Sequence, residues 1–234
     1  MKRIFKTLSQ NWPEYFLEIL VITIGILGAF TLNNWKEASD TKEQVYRSLK
    51  NLLSELEDDS VQFYYQERSS EMTLESVKRL LTMVKETGPA NDSMEYFYHQ
   101  SRSFILYVPQ NSSFNSMNQL GLLQHITDPD LLYKLQNYYT FTQPNVKILR
   151  DLEEQKFQEN MNSINMDVAI IMEEASWDDL PLNYDKVKII LQEPENFRKV
   201  FKYGKTQEFL IGRSNGYRYV NEELIKSLRA YTSN

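Results

Sequence analysis

Hydrophobic residues are spaced in two distinct ways along this chain. From Tyr15 to Trp35 (YFLEILVITIGILGAFTLNNW) they run together, interrupted by a single charge at Glu18. An α-helix needs roughly 20 apolar residues to cross the hydrocarbon core of a bilayer, so the run predicts a transmembrane helix over 15–35. Trp12 and Tyr15 stand at one end and Trp35 at the other, where amphipathic rings settle at the two interfaces. A cleaved signal peptide would share the basic start and the apolar run, but no small-x-small cleavage site precedes Asn33 and Asn34. A core helix would keep a polar stripe, which the runs Ile19–Ile22 and Ile24–Leu27 do not leave.

Beyond Trp35 the apolar positions become periodic. Val45, Leu49, Leu52 and Leu56 recur at intervals of four, three and four. Leu74, Val77, Leu81 and Val84 recur at three, four and three, a seam of the coiled-coil type. No Gly or Pro falls between Trp35 and Gly88. The segment therefore reads either as one rod leaving the membrane or as two helices with a bend at Arg68-Ser69-Ser70, where a serine can cap the second. Gly88-Pro89 ends it.

The pattern then shortens. Ser93 is placed to cap an aromatic-rich helix over Met94–Phe104, and Phe104–Val108 is the only strand-like piece. Ser112 or Ser113 opens a helix carrying Phe114, Met117, Leu120 and Leu123. Asp128-Pro129 supplies an N-cap acid followed by Pro at the first helical position, for a helix ending near Tyr138-Tyr139. Pro144 begins the longest later helix, to about Ala175, with Ile148, Leu152, Phe157, Met161, Ile164, Val168 and Ile171 on its apolar positions. Pieces over Tyr184–Gln192, Pro194–Tyr203 (closed by Gly204) and from Thr206 onward complete the chain, the last interrupted by Gly212 and Gly216. The fold class expected is all-α: a transmembrane helix followed by an irregular helical bundle. The division is 1–14 before the membrane, 15–35 within it, and one soluble domain over 36–234.

Charge sets the expected sidedness. Lys2, Arg3 and Lys6 precede the apolar run, whereas Lys36 and Lys42 after it are mixed with Glu37, Asp40 and Glu43. The positive-inside rule then puts the N-terminus in the cytoplasm and the domain outside a bacterial cytoplasmic (inner) membrane, in the periplasm where there is an outer membrane. Within the span, Glu18, Ile22, Gly25, Ala29 and Asn33 share a helical face. Gly25-x-x-x-Ala29 is a small-x-x-x-small pair that allows close helix approach in lipid, so this stripe is the candidate contact with a second copy or another membrane protein. Glu18 lies near the cytoplasmic end, where it either snorkels to the headgroups or pairs with a partner helix or relays a proton.

Composition narrows the chemistry. A net charge of -6 and the lack of a Lys/Arg stripe among aromatics argue against nucleic acid as a partner. With no Cys, disulfides, thiolate metal sites and a Cys nucleophile are all ruled out. His99 and His125 are the only histidines, which excludes a His-x-x-x-His zinc motif; His125, beside Asp128 and Asp130, reads as a surface or capping residue. Glu173, Glu174, Asp178 and Asp179 lack EF-hand spacing and read as a solvated helix end. Gly-rich phosphate loops and Gly-x-Ser-x-Gly are absent, and Arg213–Gly216 (RSNG) is too generic to count. The 15 tyrosines and 12 phenylalanines read first as packing between helices, with an aromatic-lined ligand pocket as the alternative.

Two stretches together resemble an uncharacterised family of small single-pass proteins of Bacteroidota. One is EILVITIGILGAFTLNNWKE, Glu18–Glu37; the other is SSFNSMNQLGLLQHITDPDLLYKLQNYY, Ser112–Tyr139. Ala29–Leu32 (AFTL) departs from the more aliphatic run of that pattern. The resemblance implies a membrane-tethered helical domain in a bacterial envelope and carries no activity with it. It draws attention to Gly121, where a close helix contact or a local turn is expected. The resulting expectation is a non-enzymatic scaffold or accessory subunit without cofactor or metal, bound to the membrane, that contacts partner proteins or itself. The alternative is a tethered ligand sensor that passes a shift along the long helix.

Overall fold

The computed structural model describes residues 12–90, 92–103, 105–164 and 184–233. Its dominant element is α1, Trp12–Lys85, a single helix of 74 residues and therefore roughly 110 Å long. Of the two readings of this segment, the rod is the one realised, with no bend at Arg68-Ser69-Ser70. The reason lies in its buried face. Val45, Leu49, Leu52, Leu56, Asp59, Phe63, Gln66, Ser70, Thr73, Val77, Leu80 and Val84 are all buried and alternate by four and three without a slip. A seam of constant period holds one partner along its whole length, and the helix has no cause to break. The distal seam thus runs through Leu80, while Leu74 and Leu81 lie at its margin, half-buried.

That partner is α7, Pro194–Thr232, a helix of 39 residues running antiparallel to α1. Its buried positions Asn196, Val200, Tyr203, Gln207, Leu210, Ser214, Asn221, Leu224 and Leu228 keep the same four-three rhythm, with half-buried Tyr217 filling the step after Ser214. The expected breaks at Gly204, Gly212 and Gly216 do not occur. At Gly204 the helix crosses α1 so closely that a Cβ would stand 2.7 Å from Val77 Cγ1. The glycine there serves the crossing. Gly212 and Gly216 have nothing within 4 Å of a Cβ and are carried by the packing on either side.

Shorter elements fill in around this pair. They are α2 (Asp92–Gln100), α3 (Ser112–Gln119), a 3₁₀ turn (Leu122–His125), α4 (Pro129–Asn137), α5 (Gln143–Phe157) and α6 (Tyr184–Gln192). The Asp128 cap forms as expected, its carboxylate accepting from the amides of Asp130 at 2.9 Å and Leu131 at 3.2 Å. The helix does not stop at Tyr138-Tyr139, however. It passes through a π-turn at Tyr138–Thr142 into α5, and through a second at Gln158–Asn162 to Ile164. Pro144 lacks an N–H and would crowd the carbonyl one turn back; the wider π-turn just before it is where the continuous helix absorbs that misfit. The stretch expected to run on to Ala175, and the acidic group Glu173, Glu174, Asp178 and Asp179, lie outside the described residues.

α2 ends at Gln100 rather than Phe104, and no strand forms among the described residues. Ile105–Val108 has no regular secondary structure and is held to α1 by two neighbouring side chains: Phe63 stacks on Tyr107, while Gln62 Nε2 donates to the Val108 carbonyl and the Val108 amide donates to Gln62 Oε1, both at 3.1 Å. Neither Ser112 nor Ser113 caps α3. Glu55 of α1 does so from outside, accepting from the Ser113 amide at 3.0 Å. Gly121 sits in the left-handed region at φ 69°, so of its two expected roles the local turn is the one seen. At the far end of α1, the Lys188 ammonium donates to the carbonyls of Glu86 and Gly88 at 2.9 and 2.8 Å, placing a cation on the negative end of the helix.

The interior has two apolar cores. One surrounds Leu49, Leu52, Leu56, Leu131, Leu135, Leu224 and Leu228, at the end nearer the apolar N-terminal segment. The other, distal, surrounds Val77, Leu80, Met94, Tyr98, Met161, Val200 and Tyr203. Between them the α1–α7 seam turns polar.

Candidate functional site

Two features stand out chemically: the apolar surface of α1 and the polar stretch of the seam. Phe16–Leu32 of α1 packs against none of the other described elements, and its large side chains are exposed on every face. By length and composition it is the one helix among the described residues able to cross a membrane. Its two threonine hydroxyls, and Asn33 just beyond it, are paired within the helix. Thr23 and Thr31 donate to the carbonyls of Ile19 and Leu27 at 2.7 and 2.8 Å, and Asn33 Nδ2 donates to Glu37 Oε1 at 2.9 Å. Such local pairing is what a helix surrounded by hydrocarbon requires. Glu18, Ile22, Gly25, Ala29 and Asn33 lie along this open stretch, and among the described residues nothing comes within 4 Å of a Cβ at Gly25. Trp12 and Trp35 are exposed, Trp12 stacked on Phe16 with centroids 6.4 Å apart. The side chain of Tyr15 lies outside the described residues.

The polar stretch holds two separate groups. The first centres on Asp59 of α1, which is fully buried. Its Oδ2 accepts from the Tyr138 hydroxyl at 2.7 Å and from Gln143 Nε2 at 3.2 Å. Asn221 Nδ2 donates both to the Tyr138 oxygen at 3.2 Å and to the Leu56 carbonyl at 3.1 Å. The Tyr107 hydroxyl lies beside the carboxyl but outside hydrogen-bonding geometry, and Asp59 Oδ1 has no partner among the described residues. Removal from water pushes the Asp59 carboxyl up to about 6, although the donors from Tyr138 and Gln143 pull the other way. Burial and the neighbouring Asp59 charge together drive the Tyr107 and Tyr138 hydroxyls far above the ordinary tyrosine range, so they stay protonated.

The second group is ionic. Arg150 and Glu153, one turn apart on α5, form an ion pair with both side chains buried. Gln207 of α7 donates to Glu153 Oε1 at 3.0 Å, and Arg150 donates to Ser214 Oγ at 3.3 Å. Gln66 of α1 is also buried, and its amide has no partner among the described residues. Arg150 and Glu153 thus tie α5 to α7 through Ser214 and Gln207, with Arg150 Nε and Gln207 Oε1 left without a partner among the described residues.

Neither group was singled out from the sequence. A signal for the first did exist, because Asp59, Gln66, Ser70 and Thr73 continue the spacing begun at Val45, and polar residues at seam positions are candidates for burial. Arg150 and Glu153 carried no such mark. The histidines are not brought together: His125 is exposed on the 3₁₀ turn, and His99 lies on α2 with its ring edge-on to Tyr98 at 5.7 Å. No group of three or more His, Asp or Glu among the described residues is placed to hold a metal.

Fold and site together define an antiparallel helical domain built on a single helix whose first third is apolar and open. In comparisons with known proteins no family model, curated protein or solved structure matches the chain.

Proposed function

We propose that this chain is a membrane-anchored envelope protein whose helical domain works by binding, as a non-catalytic scaffold or accessory subunit. The observation that carries the reading is the continuity of α1, whose open apolar stretch passes without a break into the seam that organises both cores. Anchoring such a domain raises its effective concentration for neighbours at the same surface without any new contact. In this reading the charges of Lys2, Arg3 and Lys6 keep the N-terminus in the cytoplasm and the domain outside it. The stripe Glu18, Ile22, Gly25, Ala29 and Asn33 meets a second copy or another membrane protein. The resemblance to single-pass proteins of Bacteroidota points to the same setting.

The test uses the full chain expressed in a bacterium. It is expected to stay with membranes after an alkaline wash, and a reporter active only outside the cytoplasm should work when fused after Asn234. Cross-linking in the membrane should give a discrete dimer or a discrete hetero-complex, lost in Gly25→Leu/Ala29→Leu. Release by the wash would overturn the anchor, a silent reporter the sidedness, and a strictly monomeric, unpartnered protein the binding role.

The same continuity favours a second reading, a sensor in which a ligand bound by the domain shifts α1 along its axis. Its mark would be a ligand-dependent change in cross-linking between cysteines introduced at Gly25, without any change in oligomeric state.

A further inference from the structure

Along the distal crossing of α1 and α7, on the outer side of the second core, two adjoining hollows of about 350 and 570 Å³ share Lys85, Phe197 and Phe201. Their floor is apolar: Leu74, Val77 and Leu81 from α1, Phe197 and Phe201 from α7. Four cations line the hollows, Lys78, Lys85, Arg198 and Lys205, against one acid, Glu208. Lys85 and Lys205 reach over the rings of Phe197 and Phe201, 5.1 and 6.0 Å from the centroids. A local excess of positive charge over exposed aromatic floor, in a chain of net charge -6, needs a reason.

The two ends of the groove differ. At the end nearer Leu74, Lys205 is neutralised by Glu208 at 2.6 Å. At the other end Lys85 and Arg198 face the second hollow, which no acid lines among the described residues. We propose that this groove binds a single-chain anionic amphiphile of the fatty-acid class, its carboxylate between Lys85 and Arg198 and its alkyl chain along Phe197, Phe201 and Leu81 toward Gly204. Charge complementarity selects an anion, and the cations are long and exposed enough to follow it. The volumes of the hollows fall in the range of small-ligand pockets. This site is independent of whether α1 crosses a bilayer.

The test is photolabelling of the full chain in nanodiscs of zwitterionic lipid, with dodecanoate carrying a diazirine at its tail as the probe and peptide mass spectrometry as the readout. Label is expected on 74–85 and 197–208, competed by dodecanoate and not by uncharged dodecyl maltoside. It should fall by about tenfold or more in Lys85→Glu/Arg198→Glu, as loss of the carboxylate's two charge partners implies. Phe201→Ala should weaken it separately. If the charge reversal lowers helicity by circular dichroism, Lys85→Gln/Arg198→Gln gives the same comparison. Label confined to 16–34, which is partition into the bilayer, would overturn the site, as would equal competition by dodecyl maltoside or indifference to the charge changes. So would a benzophenone side chain replacing Phe201 that cross-links in cells to one discrete protein. The competition and charge-variant arms read the groove alone, whereas label confined to 16–34 would overturn the groove and leave the membrane anchor standing.

Discussion

The two polar groups of the seam solve the same problem in opposite ways. Both are carboxylates buried among helices, but Glu153 has a cation one turn away on its own helix, and Asp59 has none among the groups around it. A buried ion must be matched or it moves toward its neutral form. Glu153 is matched by Arg150 and Gln207. Asp59 is met only by neutral donors and responds with a carboxyl displaced toward neutral pH. The contrast teaches that one of the two groups is held by an ion pair, whereas the other lies close to a change of charge near neutral pH.

The largest effect should come from breaking the ionic group. Arg150→Met leaves Glu153 as a lone buried charge and is expected to cost about 3–5 kcal/mol, read as a fall in the denaturant midpoint of the full chain in neutral detergent. Adding Glu153→Leu should recover most of that loss, because the pair's desolvation disappears with it. A single variant as stable as the parent would mean that water reaches the pair.

Asp59 should give the next effect, with a definite sign. Its folded value is raised from 3.8 to about 6, so its contribution is fully present below pH 4 and is lost as pH rises through about 6. The difference of about two pH units corresponds to roughly 3 kcal/mol. Asp59→Asn should therefore be more stable than the parent at pH 7.5, with the two converging near pH 4. Its new amide would occupy the place of the unpartnered Oδ1, beside the Tyr107 hydroxyl. Equal stability of the two proteins across that range would show that Asp59 is not desolvated.

Tyr138→Phe probes the same group more gently. It removes the 2.7 Å donor to Asp59 and the acceptor of Asn221, and is expected to cost about 1–2 kcal/mol. It should also move the Asp59 step to higher pH, since a hydrogen bond that favours the carboxylate is gone. An unchanged step would place the main support on Gln143 instead.

How much of this was legible beforehand depends on distance along the chain. The apolar run Tyr15–Trp35, the helical class, the Asp128-Pro129 start and the repeats at Val45 and Val77 are local facts, written in spacing and capping chemistry that act within one or two turns. These the amino-acid order determined alone. Three things depended on neighbours far away in sequence. Gly204 stays helical because α1 approaches there at Val77, Pro144 is absorbed by a π-turn inside a longer helix, and Asp59, Gln66, Ser70 and Thr73 are interior because distant segments pack over that face of α1, Tyr138 and Gln143 at Asp59 and Ser103 at Thr73 among them. A glycine, a proline or an aspartate has the same local signature whether it breaks a helix or is carried within one. Only the packing energy of the assembled helices decides between those outcomes, and that energy exists only once the tertiary structure has formed.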